Sequence, residues 1–160
     1  MTIWGALAGG FVGTLVLTTG LRAATELRLT RTDLPFLLGT ALSADRIRAR
    51  ALGYGLHLVV GLGFAALYYA LFQVLGEANA WLGALFGLVH ALFAGTVLVN
   101  VLLPLVHPRM GTSSTAAPSV ALLEPPGFLM RNYGVQTPLV SLAAHIAYGA
   151  VVGGFVSLAG

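Results

Sequence analysis

The chain has 160 residues, of which 58% are hydrophobic and 8% charged, with a formal net charge of +3 and no cysteine; its mean hydropathy is +0.91. That balance excludes an ordinary water-soluble domain and predicts a single integral membrane domain, while the lack of cysteine excludes disulfides, thiolate metal sites and thiol catalysis. All eight basic residues are arginines, and with abundant Ala and Gly this usage matches a GC-rich bacterial genome.

Residues 3–21 are the first of four runs free of Asp, Glu, Lys and Arg; the others are 51–75, 80–106 and 138–158. About 20 residues at a rise of 1.5 Å cross a hydrocarbon core. The expected fold class is therefore all-α, a four-transmembrane-helix bundle. In the first run Gly5, Gly9 and Gly13 stand four apart, a small-residue stripe that lets helix backbones approach closely. No basic residue precedes this run and Arg22 follows it directly, the reverse of a cleavable signal's charge order, so it reads as a retained span.

The connection 22–50 carries Arg22, Arg28, Arg31, Arg46, Arg48 and Arg50. Within it, 34–42 is too short to span and too apolar to lie free in water. Asp33 as N-cap and Pro35 in the first turn predict a short interfacial helix there. Ser43 is the expected cap of the next helix, which would lead into the second run. The turn 76–79 predicts a tight antiparallel hairpin of the second and third runs. Gly83 and Gly87 repeat the glycine spacing in the third run, as do Gly149 and Gly153 in the fourth. Those stripes serve either packing within one bundle or association with a second copy or another membrane protein. The second long connection, 107–137, holds Arg109 and Arg131 and is rich in Pro, Ser and Thr from Pro108 to Pro126, an irregular segment of the length that tends to be functional or mobile. Arginine-rich loops stay in the cytoplasm, so both long loops are expected inside and both termini outside, in a bacterial cytoplasmic (inner) membrane.

His57, His90 and His145 are the ionisable candidates inside the runs. His57 and His145 lie about 10 Å from the arginine-bearing boundary by helical rise, and Asn100 lies at a similar depth. Pro104 cannot donate to the Asn100 carbonyl four residues earlier. Polar groups at such depth are functional candidates. The expectation is a shared polar pocket of His57, Asn100 and His145, with His90 or His107 as a second station and Tyr148 one turn beyond His145. Two imidazoles, His57 and His145, suit a haem iron or a transition metal, and histidine also relays protons. Alternatively, each histidine only bonds a hydroxyl or carbonyl across the bundle. No carboxylate lies inside the runs, which weakens cation transport. Ser141 and His145 share a helix face, a poor catalytic signature alone. No phosphate loop, nucleotide fingerprint or basic stripe with aromatics appears, so nucleic acid is not an expected partner. The reading that asks least of the residues is a non-enzymatic membrane subunit or scaffold. The alternative is a haem-, metal- or small-ligand-binding protein, or a proton- or solute-handling one, built on the histidine pocket.

His107-Pro108-Arg109-Met110, Pro126-Gly127-Phe128, Asn132-Tyr133-Gly134, Thr137-Pro138 and His145-x-x-Tyr148-Gly149, with residues 34–39, Gly53-Tyr54 and Leu56-His57 upstream, form a set spread over most of the chain. Taken together it resembles a family of uncharacterised small four-helix bacterial integral membrane proteins, a domain of unknown function. The resemblance implies a four-helix membrane fold and no particular activity or cofactor. It also implies that His107, the turn at Pro126-Gly127 and His145 belong to one assembly at the inner face. Gly127 and Gly134 would fold the segment between them back onto the bundle as a lid.

Overall fold

The computed structural model describes residues 1–110 and 123–159; residues 111–122, most of the expected irregular segment, lie outside them. The fold is all-helical. Four helices are long and apolar enough to cross a membrane: Ile3–Glu26, Arg46–Leu75, Ala80–Val106 and Thr137–Leu158. They are called the first to fourth spans below. Local chemistry sets their ends. Thr2 caps the first span by accepting from the Gly5 amide at 3.2 Å. Asp45, not Ser43, caps the second, its carboxylate accepting from the Arg48 amide at 2.8 Å. The Ser43 hydroxyl instead accepts from the Asp45 amide at 3.2 Å, holding the cap in place. Asn79 caps the third span, and Gly76 ends the second in a left-handed conformation, φ 71°, that a glycine adopts without strain.

The fourth span is the centre of the bundle, packed along its length against the first and the third. Glycine makes both approaches close. A Cβ at Gly5, Gly9 or Gly13 would collide with Ala159, Phe155 or Tyr148 of the chain's last helical stretch. Between the third and fourth spans the contact is glycine on glycine: a Cβ at Gly83 would overlap the Gly149 carbonyl, and one at Gly87 the His145 carbonyl. Gly153 meets the Asn79 carbonyl. All three expected stripes are thus used within the chain, so none of them is left as an outward face for a second copy.

The second span leans on the first, where Gly10 faces Ala65 and Gly61 faces Thr14. It does not form the expected tight pair with the third span. Their backbones stay apart, and aromatic rings fill the space between: Phe72 and Phe86 have centroids 5.1 Å apart, Tyr68 and Phe86 5.4 Å. Large side chains on the facing turns hold the helices at ring width, whereas glycines admit direct backbone contact.

Both long connections meet at one end of the bundle, the arginine-bearing end. The helix Leu34–Gly39 forms as expected, Asp33 accepting from the Phe36 amide at 3.1 Å. It lies directly on the second span, where a Cβ at Gly53 would overlap the Pro35 carbonyl and one at Gly39 the Ala49 carbonyl. Thr30 bonds Thr32 and Thr137, each at 2.8 Å, in a buried hydroxyl cluster that joins the two connections. The outer surface of the spans is apolar, as a helix facing lipid requires. At the opposite end Trp4 and Trp81 stand outward, 76% and 87% exposed, where indole rings anchor at a membrane interface.

Candidate functional site

Between the spans, toward the arginine-bearing end, lies a cavity of about 180 Å³. His57, His90, His145 and Tyr148 line it, with Leu34 and Leu38 of the short helix and Met130 of the returning connection. The remaining wall is Leu, Val, Ala and Gly apart from Thr14. Three of the expected site residues are therefore brought together with Tyr148, in a cavity more apolar than the sequence led us to expect.

Each histidine is held by its Nδ1. In His145 this atom lies 2.8 Å from the Ser141 carbonyl oxygen. A carbonyl only accepts, so the neutral ring carries its proton on Nδ1 and presents a lone pair at Nε2. In His57, Nδ1 lies 3.0 Å from the Thr18 hydroxyl. Thr18 spends its only proton on the Thr14 carbonyl at 2.7 Å, so it must accept from His57, and His57 is again the Nδ1–H tautomer. His90 Nδ1 meets the Tyr68 hydroxyl at 3.2 Å, a contact either group can donate. Its ring stacks on Phe64 with centroids 3.6 Å apart and meets His145 edge to face at 4.8 Å. For none of the three does Nε2 have a hydrogen-bond partner among the described residues. Since no fully buried side-chain polar atom there lacks a partner, each Nε2 retains open surface on a residue that lines the cavity. Tyr148 is different: its hydroxyl donates to the Gly61 carbonyl at 2.5 Å, tying the fourth span to the second, so it contributes its ring.

Two expected members lie elsewhere. Asn100 does not line the cavity. Its side-chain amide donates to the carbonyls of Gly95 at 2.9 Å and Thr96 at 3.2 Å, one turn back in its own helix. The reason is local: Ala94–Leu102 is π-helical, and a widened turn just before Pro104 leaves carbonyls that a nearby amide can serve. The wider turn also aims Ala94, Leu98, Val99 and Leu103 at the cavity. His107 is buried but fully engaged. Its Nε2–H donates to the Leu37 carbonyl at 3.0 Å, and Nδ1 accepts from the Arg109 amide at 3.1 Å. With the Arg109 guanidinium donating to the Thr40 carbonyl, it clips the end of the third span to the short helix.

The segment expected to fold back onto the bundle does so as the 3₁₀ turn Phe128–Tyr133, which packs on the π-helical segment and the fourth span. Leu129 and Met130 are both left-handed, φ 52° and 59°, a conformation that costs roughly 1–2 kcal/mol for an ordinary residue. The strain is retained where Met130, 5% exposed, closes the cavity and Leu129 lies over Gly95. Such strain persists only where the surrounding packing over-determines the backbone.

A second concavity, about 200 Å³, lies outside the first and second spans at the arginine-bearing end. It is more polar than the cavity: Arg22 pairs with Glu26 at 3.1 Å and Arg50 with Asp33 at 2.9 Å, beside Tyr54, Thr25 and Thr18.

Comparisons with protein-family models, curated proteins and solved structures find no match for the chain. Among the described residues no three His, Cys, Asp or Glu side chains are close enough to share a metal ion. Haem does not fit either, since even sites for drug-sized ligands enclose about 300–1,000 Å³.

Proposed function

We propose that this is a multi-pass protein of the bacterial cytoplasmic membrane, its arginine-bearing end in the cytoplasm, that holds a small, largely apolar molecule bearing one hydrogen-bond donor between its spans. The orientation is supported by the confinement of every arginine to the connections and helix ends at one end of the bundle and by the positive-inside rule. The observation that carries the ligand reading is that His57 and His145, each with its proton held at Nδ1 and no partner at Nε2 among the described residues, line a mostly apolar cavity that His90 also lines. An acceptor in hydrocarbon without a donor is costly, and an O–H or N–H on an aromatic or short aliphatic body supplies one. The volume suits such a guest: an apolar cavity of about 150 Å³ is enough for benzene. A scaffold acting through glycine faces draws less support, because those faces are filled by the chain's own helices.

The test compares phenol with toluene on the purified protein in lipid nanodiscs, by ligand-observed NMR. Phenol is expected to bind about fivefold more tightly, the worth of one net hydrogen bond of about 1 kcal/mol. The preference should fall in the double variant His57→Leu/His145→Leu, in which His90 is the one cavity-lining histidine that remains. Equal affinity of the two probes for the native protein, or binding of neither, would overturn the reading.

A further inference from the structure

The cavity and the polar groove meet at one point. Leu34 lines both and supplies an apolar partition. Beside it Thr18 belongs to the groove wall and His57 to the cavity wall, and the two are joined by the 3.0 Å hydrogen bond. We propose that Thr18 and His57 form a proton path between the cavity and the arginine-bearing surface. It rests on the wall between the two spaces and not on which molecule fills the cavity.

The step balances without any further reactant. An acid in the cavity, a guest hydroxyl or a water, gives its proton to His57 Nε2. Nδ1 gives its own proton to the Thr18 hydroxyl oxygen. Thr18 turns off the Thr14 carbonyl and releases its original proton to water in the groove. One proton has moved from the cavity to the groove, the cavity acid is left as its conjugate base, and His57 is left with its proton on Nε2; the reverse sequence restores both. Imidazole is suited to this because its two nitrogens face different surroundings and exchange roles. Of the other groups around His57, His90 and His145 from the third and fourth spans line the same cavity, while Tyr148 is committed to the Gly61 carbonyl. On the groove side stand Arg22, Glu26, Asp33, Arg50 and Tyr54. Arg22 and Arg50 are both paired with carboxylates, so the outlet is not walled by unbalanced positive charge. His145 has no such outlet, its Nδ1–H being directed at a carbonyl of its own helix.

The experiment is water-exchange NMR on the whole protein, with ¹⁵N-labelled histidine, in nanodiscs. The native His57 ring is expected as the Nδ1–H tautomer, its proton exchanging with water about tenfold faster than in Thr18→Val, where the hydroxyl relay is gone. Thr18→Ser should restore the native rate, and the His145 ring proton should exchange alike in all three proteins. That last signal also reports that the Val variant is folded. Equal His57 exchange in the native and Val proteins, or an Nε2–H tautomer in the native one, would overturn the path. Because the phenol preference is measured on the native protein and needs no proton movement, while the path is read from His57 exchange with no phenol present, failure of either proposal is read separately.

Discussion

Gly83 and Gly149 stand opposite each other so closely that a Cβ added to either would overlap the other's carbonyl oxygen. This reciprocal contact, with Gly87 on the His145 backbone one turn away, fixes how the third and fourth spans cross and so how His90 meets His145. Gly149→Val is expected to destabilise the bundle by about 1–3 kcal/mol, the usual cost of over-packing a closed contact. Gly63→Ala, at a position with open space around it, should cause no loss. Steric-trapping measurements of unfolding in lipid would separate the two; comparable losses would remove the special role of the glycine crossing.

Much of this was legible in the sequence, and what was not has identifiable causes. The spans follow from the spacing of charge, and the Asp33 cap and Pro35 turn follow from local chemistry that no tertiary contact opposes. The identity of the pairs did not follow. A four-residue connection between the second and third runs suggested close packing, but their facing residues include Phe64, Tyr68, Phe72 and Phe86, which keep backbones apart. Asn100 was misaimed because counting turns assumes an α-helix, and Ala94–Leu102 is π-helical. His107 looked like a ligand, yet it sits where a helix end must find partners for its exposed backbone. The tautomers of His57 and His145 depend on what Thr18 and Ser141 do with their own groups, which no spacing reveals.

Met130 closes the cavity from a strained turn. Met130→Ala is expected to enlarge the space and to cost about 2 kcal/mol, at the lower end for a buried Met→Ala change, because part of the contact is a lid and not core. In exchange, 2-naphthol should gain affinity relative to phenol. An unchanged ratio of the two affinities would show that Met130 does not set the cavity's size.

Tyr133 lies outside the spans. Its phenol is pushed up to about 12 from an ordinary 10.0, first by burial and then by the Glu124 carboxylate, with Arg31 opposing. A raised folded-state value means that its contribution to stability is complete below pH 10 and is lost as pH rises toward 12. The structural counterpart is the Tyr133 hydroxyl donating to the Glu124 carbonyl at 2.9 Å. Across pH 10–12 the native protein should therefore lose more melting temperature than Tyr133→Phe. Parallel curves would count against the linkage.

Asp33 does two jobs, accepting from the Phe36 amide and pairing with Arg50. An ion pair this exposed contributes little, whereas an N-cap contributes about 1 kcal/mol. Asp33→Asn should therefore resemble the native protein, and Asp33→Ala should lose about 1 kcal/mol with faster hydrogen exchange at the Phe36 amide. If Asn and Ala behave alike, the ion pair and not the cap is what matters.

The ring-filled gap between the second and third spans has a mechanical consequence. The second and third spans, which share the shortest connection, make few direct backbone contacts, while the second is held to the first through Gly10 and Gly61 and the third meets the fourth glycine on glycine. Gly76, left-handed at the head of the turn, is then the pivot of a clothes-peg. Its jaws are the second span, with the short helix riding on it, and the three-helix remainder. An opening along that seam would be restrained at the far end by the His107 clip and along its length by the contacts of the second span with the first. The clip is made by His107, Leu37, Arg109 and Thr40, none of which lines the cavity, so loosening it would act on the seam from outside the cavity wall.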